Sequence, residues 1–343
     1  MQELDTSRFF TGMRNLNYST PACSDDGIIL LLPLRPLSVI PPRITEDFTL
    51  AKARLIPAYS TRLGNAYLGD AAEVLGKLPD ESVSLVFTSP PFALRRQKAY
   101  GNVTADEYIE WFWPIVEQIR RVLRNDGSFV MELGGAWNPG GTRSMLPYEL
   151  LIKLGKIFHL AQDFYWHNPS RLPSPAQWVT IRRTRVKEAV THIWWLSKSK
   201  EPQADNRQVL VPYSKSMKRL LKDGYQPAMR PSQHEIGPHF QRDNGGAIPS
   251  NVLTVPNTRS YDEYLFRCRA AGVQIHPARF PPELPDFFIR FLTHPGQTVL
   301  DPFAGSNTTG QVAEQLGRKW ISIEINEDYI AGSQLRFSGE QAA

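Results

Sequence analysis

The run Val83-Ser84-Leu85-Val86-Phe87-Thr88 constrains the fold of this chain more than any other segment. It is apolar and rich in β-branched residues, so it reads as a parallel strand buried on both faces. It stops abruptly at Ser89-Pro90-Pro91-Phe92, because proline has no N–H to give to a sheet ladder. A buried parallel strand needs parallel partners and crossover helices, and the flanking sequence supplies them. Residues 66–68 read as a short strand ending at Gly69-Asp70, and 71–78 as a helix stopped by Pro79. Between 104 and 124, Ile109, Phe112, Trp113, Val116, Ile119, Val122 and Leu123 recur at helical spacing, with Asn125-Asp126-Gly127 as the stop. Strands are predicted at 128–133, 163–166 and 190–196, with a helix at 148–158 between the first two. Helices at 284–292 and 308–316 then alternate with strands at 298–300 and 320–325. This rhythm predicts an α/β fold built on a doubly wound, mostly parallel sheet.

Two stretches depart from it. Residues 1–56 are Pro-rich and irregular and read as an arm or extension; residues 199–275, rich in Arg, Lys, Pro, Asn and Gly, read as an inserted, less regular domain. The formal charge of +5 hides an uneven distribution. Residues 171–230 carry 13 Lys and Arg against 4 Asp and Glu, or +9, while the remainder has 26 against 30, or −4. A basic stretch on a slightly acidic body suits a polyanion, since neutralising phosphates releases counterions; a scattered solvated face is the competing reading.

Several function classes drop out. Cys23 and Cys268 are the only cysteines, which excludes a disulfide framework, a cysteine zinc site and an iron–sulfur cluster. The seven histidines are scattered without ligand spacing, so no metal is expected. No apolar run nears the ~20 residues of a membrane span. The N-terminus carries Glu3 and Asp5 instead of the basic start of a secretory signal, and a reducing cytoplasm is the expected setting. Trp194-Trp195 lie in a strand-like run and are expected in the core.

Two constellations carry chemistry. The first is Asp301-Pro302-Phe303-Ala304-Gly305-Ser306-Asn307-Thr308-Thr309-Gly310, a strand end, a small-residue turn and a helix start. Gly305 and Ser306 let a ligand approach the backbone, and Asn307 tolerates a left-handed turn. Gln311 and Val312 stand where a phosphate-binding loop would continue with Lys and Ser or Thr, which argues against nucleotide hydrolysis. One strand later Glu324 ends an apolar run, where an acid can accept hydrogen bonds from ribose hydroxyls. The second is Thr88-Ser89-Pro90-Pro91-Phe92, at the carboxyl end of a central strand, where open α/β sheets place ligands. Pro91 leaves the Pro90 carbonyl outside the ladder, Ser89 adds a hydroxyl, and Phe92 an aromatic face for a base. Either segment alone is also compatible with a structural turn.

Together they resemble the S-adenosylmethionine-dependent amino-methyltransferases of DNA, in the β-class order of catalytic motif, basic insert and cofactor motif. The Ser-Pro-Pro form is similar to the cytosine-N4-specific members, and the likeness is closest to the PvuII type. It runs from about Tyr59 to Phe337 and includes Phe87 to Leu94 with Tyr100-Gly101-Asn102, Asp163-Phe164-Tyr165-Trp166 through Leu172-Pro173-Ser174-Pro175, Arg230-Pro231-Ser232, Asp243-Asn244-Gly245-Gly246 and His276-Pro277-Ala278-Arg279-Phe280-Pro281.

The resemblance implies a cofactor site of Asp301, Phe303, Gly305, Ser306 and Thr308 around the methionine portion, with Ala304 and Asn307 of the same loop also cofactor-binding, Glu324 at the ribose and Asp70 near the adenine. Pro277, Ala278, Arg279 and Phe280 would close over the methionine end. Asn307 departs from the glycine commonest there in the wider family. Ser89, Pro90, Pro91 and Phe92 are the implied catalytic residues, with the amino N–H groups of a flipped cytosine bonded to the Ser89 hydroxyl and Pro90 carbonyl and its ring stacked on Phe92. No covalent intermediate is needed, and neither cysteine lies in the Pro-Cys setting of cytosine-C5 chemistry.

The implied division is 1–56 arm, 57–198 catalytic part, 199–275 target-recognition insert, 276–337 cofactor-binding part and 338–343 tail. In the insert, Arg230, Ser232, His234, Arg242 and Asn244 are candidates for base edges, and Lys215, Lys218, Arg219 and Lys222 for phosphates. The implied partners are double-stranded DNA, with a CAGCTG-like palindrome suggested by residues 230–253, and a cognate restriction endonuclease acting on the same site, in a prokaryotic, nucleoid-associated setting. Adenine-N6 methylation on the same fold, methylation of RNA or a protein amide, and a catalytically silent DNA-binding regulator are the alternatives.

Overall fold

The computed structural model describes residues 55–92, 104, 106–138, 140–224, 242–258 and 262–337. A nine-stranded sheet runs in the order β1-β2-β9-β8-β3-β4-β6-β5-β7. Its centre is parallel: β2 (Gly64–Leu68), β9 (Lys319–Glu324), β8 (Thr298–Asp301), β3 (Val83–Thr88) and β4 (Leu123–Leu133). The edge strand β1 (Tyr59–Ser60) is antiparallel to β2. On the other side β6 (Val190–Ser197) runs antiparallel to both β4 and β5 (His159–His167), and β7 (Val252–Thr254) adds in parallel to β5.

Every residue of β3 is buried, as expected of a strand apolar on both faces. Val86 points into a cluster beneath α1 (Ala71–Lys77), α2 (Tyr108–Val122) and α3 (Leu146–Leu154). Leu85 and Phe87 point into a second cluster beneath α6 (Glu283–Leu292), α7 (Thr308–Gln315) and α8 (Glu327–Gln334). Full burial of one such side chain contributes roughly 1.5–3 kcal/mol, against ~1 kcal/mol for a helix cap. The two clusters, not the caps, therefore decide the architecture, which is the expected doubly wound sheet. Trp194 and Trp195 lie in these clusters on opposite faces of β6, and Cys268 is buried. Cys23 lies outside the described residues.

Local differences have local causes. The helix stop at Asn125-Asp126-Gly127 falls later than the helix end: α2 ends at Val122, and the partner of β3 jumps from Leu123 to Ser128, so residues 124–127 bulge out of β4. The stretch 199–275 is also tied into the sheet. The Asp205 N–H donates to the Phe291 carbonyl at 2.8 Å, β7 extends the sheet, and α5 (Glu263–Ala271) buries Tyr264, Leu265 and Cys268. The basic helix α4 (Lys215–Asp223) buries none of its residues. Among the described residues no helix is long and apolar enough to cross a membrane.

Candidate active site

In the sheet order, β8 and β9 lead one way from the centre and β3 and β4 the other, so the crevice between the carboxyl ends of β8 and β3 is the topological switch point. Ligands of open α/β sheets bind at such a point because the diverging connections leave it uncovered. A cavity of about 970 Å³ opens there.

One half is built by the loop after β8. Gly305 adopts φ +52°, and a side chain at that position would meet the His276 ring at 3.1 Å. Its N–H donates to Glu324 Oε2 at 2.8 Å, while Glu324 Oε1 accepts the Asn326 N–H at 2.9 Å. Burial raises the proton affinity of Glu324, partly opposed by these backbone hydrogen bonds. Phe303, Ala304, Gly305, Ser306, Thr308, Glu324 and Asp70 all border the cavity, as do Pro277, Ala278, Arg279 and Phe280. Asp70 also caps α1, its Oδ1 accepting the Ala72 and Glu73 N–H groups at 2.8 and 3.1 Å.

The side chains of Asp301 and Asn307, in the same loop, are not among those that border the cavity and are held within the protein. The buried Asp301 carboxylate accepts from Thr88 Oγ1 and Thr309 Oγ1, each at 2.7 Å, and from the Phe303 N–H at 3.1 Å. Burial pushes it up to about 6 against the pull of those bonds. It thus ties the β8 loop to the residue preceding Ser89. Asn307 sits in the left-handed region at φ 55° and caps α7. Its Oδ1 accepts from the Gly310 N–H at 3.0 Å and Ser322 Oγ at 2.5 Å, and its Nδ2 donates to Tyr59 Oη at 2.9 Å. These bonds offset the cost of a positive φ where glycine would need none. From the other side Arg336 donates to the Ser306 carbonyl and hydroxyl at 2.5 and 2.9 Å.

The other half is the turn after β3. Ser89, Pro90, Pro91 and Phe92 border the cavity. The Ser89 hydroxyl donates to Glu132 Oε2 at 2.5 Å. Glu132 is buried near the end of β4, and burial pushes its carboxyl up to about 7, against the opposing effects of the Ser89 hydrogen bond and the charge of Arg171. Phe92 lies across Gly134, where a Cβ would come 2.4 Å from the ring.

Glu132 and Arg171 were not singled out from the sequence. The signal for Glu132 was present: an ionisable residue within the apolar run Phe129-Val130-Met131-Glu132-Leu133 is costly to bury without a partner or a function. Trp111, Ile115 and Ile325 also line the cavity, beside Phe303. Ile325 is 64% exposed, an apolar face available to a flat ring. These residues fit an S-adenosylmethionine molecule: apolar side chains for adenine, Glu324 for ribose hydroxyls, and close backbone at Gly305 for the methionine end.

Of the predicted DNA-binding residues, Lys215, Lys218, Arg219 and Lys222 form one exposed face of α4. Arg242 and Asn244 are exposed, with Asn244 Nδ2 donating to the Arg242 carbonyl at 3.2 Å. None of the six borders the cavity. Arg230, Ser232 and His234 lie outside the described residues.

Comparison with known proteins identifies the family. The DNA methylase family matches residues 83–335. The type II methyltransferase M.PvuII of Proteus hauseri is 50% identical over 287 residues, covering 82% of this chain and 85% of that protein. The DNA adenine methyltransferase YhdJ of Escherichia coli is 29% identical over 283 residues, covering 79% and 82%. The solved PvuII DNA methyltransferase (cytosine-N4-specific) superposes with a TM-score of 0.67 at 44% identity, covering 82% of this chain and 88% of that one. A switch-point cavity that joins a Ser-Pro-Pro-Phe turn to an Asp-Pro-Phe loop, together with these likenesses, makes the chain a member of the DNA methylase family.

Proposed function

We propose that this protein transfers a methyl group from S-adenosylmethionine to the exocyclic N4 of a cytosine flipped out of duplex DNA. The observation that carries this reading is the hydrogen-bonded pair Ser89–Glu132 on one wall of a cavity whose other wall presents Gly305 and Glu324. The 50% identity to M.PvuII supports cytosine N4 as the target atom.

The cofactor, when bound, supplies a methyl group activated on a sulfonium. The amine is a poor nucleophile, because its lone pair is delocalised into the ring. Acceptance of its N–H groups by Ser89 Oγ and the Pro90 carbonyl favours a tetrahedral nitrogen and fixes the direction of its lone pair. Ser89 can accept that bond while its own proton stays directed at Glu132. As the nitrogen gains a methyl group it must lose a proton. Ser89 can relay that proton to Glu132, whose carboxyl, at about 7, takes and releases one near neutral pH. A base inside a duplex cannot reach this cavity, so flipping must precede the reaction, with Phe92 offering the stacking face.

We further propose that residues 199–275 supply target recognition, with the cationic face of α4 on phosphates. We propose as well a cognate restriction endonuclease acting on the same site, in a bacterial cytoplasm, a reading that the type II relatives support. The test is incubation with labelled S-adenosylmethionine and mixed-sequence duplex DNA, followed by digestion to nucleosides and identification of the labelled base by mass. Label in N4-methylcytosine is expected. Label in N6-methyladenine would overturn the reading of the target atom, and no label despite cofactor binding would overturn the enzymatic reading.

A further inference from the structure

Among the described residues outside α4 and the insert, the excursion between β5 and β6, residues 168–189, is a strongly charged exposed feature. Because β5 is antiparallel to β6 and β6 to β4, β5 points the same way as β4 and β3. The excursion therefore leaves the sheet at the end that carries Ser89, and its first residues, Asn168 and Arg171, border the cavity. It holds Arg171, Arg182, Arg183, Arg185 and Lys187 against a single acid, Glu188. That acid is taken from behind: Glu188 accepts from Arg143 at 2.5 Å and from Trp137 Nε1 at 3.3 Å. Trp178 packs over Gly141, where a Cβ would come 2.3 Å from the ring, and Arg182 stacks on Trp178 at 4.6 Å. The base of the excursion is thus seated. Its arginines at 182, 183 and 185 are exposed and, among the described residues, in no ion pair. Flanking them, Ile181 and Val186 are 69% and 87% exposed, apolar area that a molecule docked on the arginines would cover.

We infer that this excursion is a second DNA clamp, with Arg182, Arg183 and Arg185 gripping backbone phosphates beside the target base at the mouth of the cavity. This deepens the DNA-methylating reading and rests on it. A run of one sign at the entrance raises the local concentration of a polyanion, and the guanidinium fork matches phosphate oxygens in pairs. Arginines bound to phosphates next to the site would hold the duplex in register while the base is out, a task separate from reading the sequence.

The experiment compares the full chain with the triple variant Arg182→Ala, Arg183→Ala, Arg185→Ala. A charge-matched control, Lys77→Ala, Lys156→Ala, Lys319→Ala, removes exposed lysines from the opposite end of the sheet. DNA affinity is measured against salt concentration, together with KM for DNA and the affinity for S-adenosylmethionine alone. Each phosphate that is no longer neutralised should reduce the slope of log K against log salt by about 0.9, so the arginine triple should lower it by roughly 2 to 3. Its KM for DNA should rise at least tenfold, while cofactor affinity stays at the parent value and shows the fold intact. The lysine control should keep the parent slope. An unchanged slope in the arginine triple, or equal reductions in triple and control, would overturn the clamp while the parent still methylates DNA. Failure of the parent itself to bind or methylate DNA would instead overturn the reading on which the clamp rests.

Discussion

Replacement of Glu132 by Gln keeps the shape of the side chain and an oxygen to accept the Ser89 hydroxyl, but removes the ability to take a proton. Removing a positioned general base typically costs a factor of about 10² to 10⁴, or ~3–5 kcal/mol of barrier. The single-turnover rate of Glu132→Gln on preformed enzyme–DNA complex should therefore fall at least a hundredfold. The parent rate should rise with pH through about 7 as the Glu132 carboxyl ionises, and that limb should vanish in the variant. Stability should move the opposite way. Burial raises this carboxyl from 4.5 to about 7 in the folded chain, so the contribution of its protonated form is fully present below pH 4.5 and lost as pH rises through about 7. At pH 8 the parent carries an ionised, buried carboxylate at a cost of about 3 kcal/mol. The glutamine variant escapes that cost and should melt several degrees higher. Quench-flow from pH 5.5 to 9 and thermal melts at pH 5 and 8 measure both. A variant within threefold of the parent rate, or one less stable than the parent at pH 8, would refute the assignment of Glu132 as a strained base.

Three more perturbations bear on the site. Ser89→Ala should cut turnover strongly with cofactor affinity nearly unchanged; because the Ser89 hydrogen bond lowers the proton affinity of Glu132, residual activity should rise at a higher pH than in the parent. Gly134→Ala sets a methyl group 2.4 Å from the Phe92 ring and should raise KM for DNA through a displaced stacking face, with calorimetric affinity for S-adenosylmethionine unchanged. Asn307→Ala leaves a positive φ on a residue with no compensating bonds to Tyr59, Ser322 and Gly310; it should lose roughly 2–4 kcal/mol in denaturant melts and weaken cofactor binding. Asn307→Gly should recover part of that loss by removing the backbone strain.

Much of this was legible in the chain itself, for a physical reason: burial on one face or two imposes a period on the sequence. Val83 to Thr88 read as a buried parallel strand, the apolar spacing from Ile109 to Val122 as a helix with one buried face, and Ser89-Pro90-Pro91 as the break in the ladder, and the structure has all three. The family could be recognised because its two motifs are contiguous in sequence. Three residues of β7 carry no such period; they are a strand only because β5 has a free edge. The excursion at 168–189 read as one part of a basic stretch, and only the direction of β5 showed that it opens beside Ser89.

Within the site the division is sharper. Sequence placed Asp301 and Asn307 in the cofactor loop, and they are in it, but a loop has two sides. Tertiary packing turned both away from the cavity, toward Thr88 and Tyr59, residues more than two hundred positions distant along the chain. The same packing brought Glu132 to Ser89 across the β3–β4 pair. Residue type and spacing thus determined which chemistry this chain can perform. Which carboxylate meets the Ser89 hydroxyl, and how strongly it holds a proton, was decided only when the sheet packed and removed the water around it.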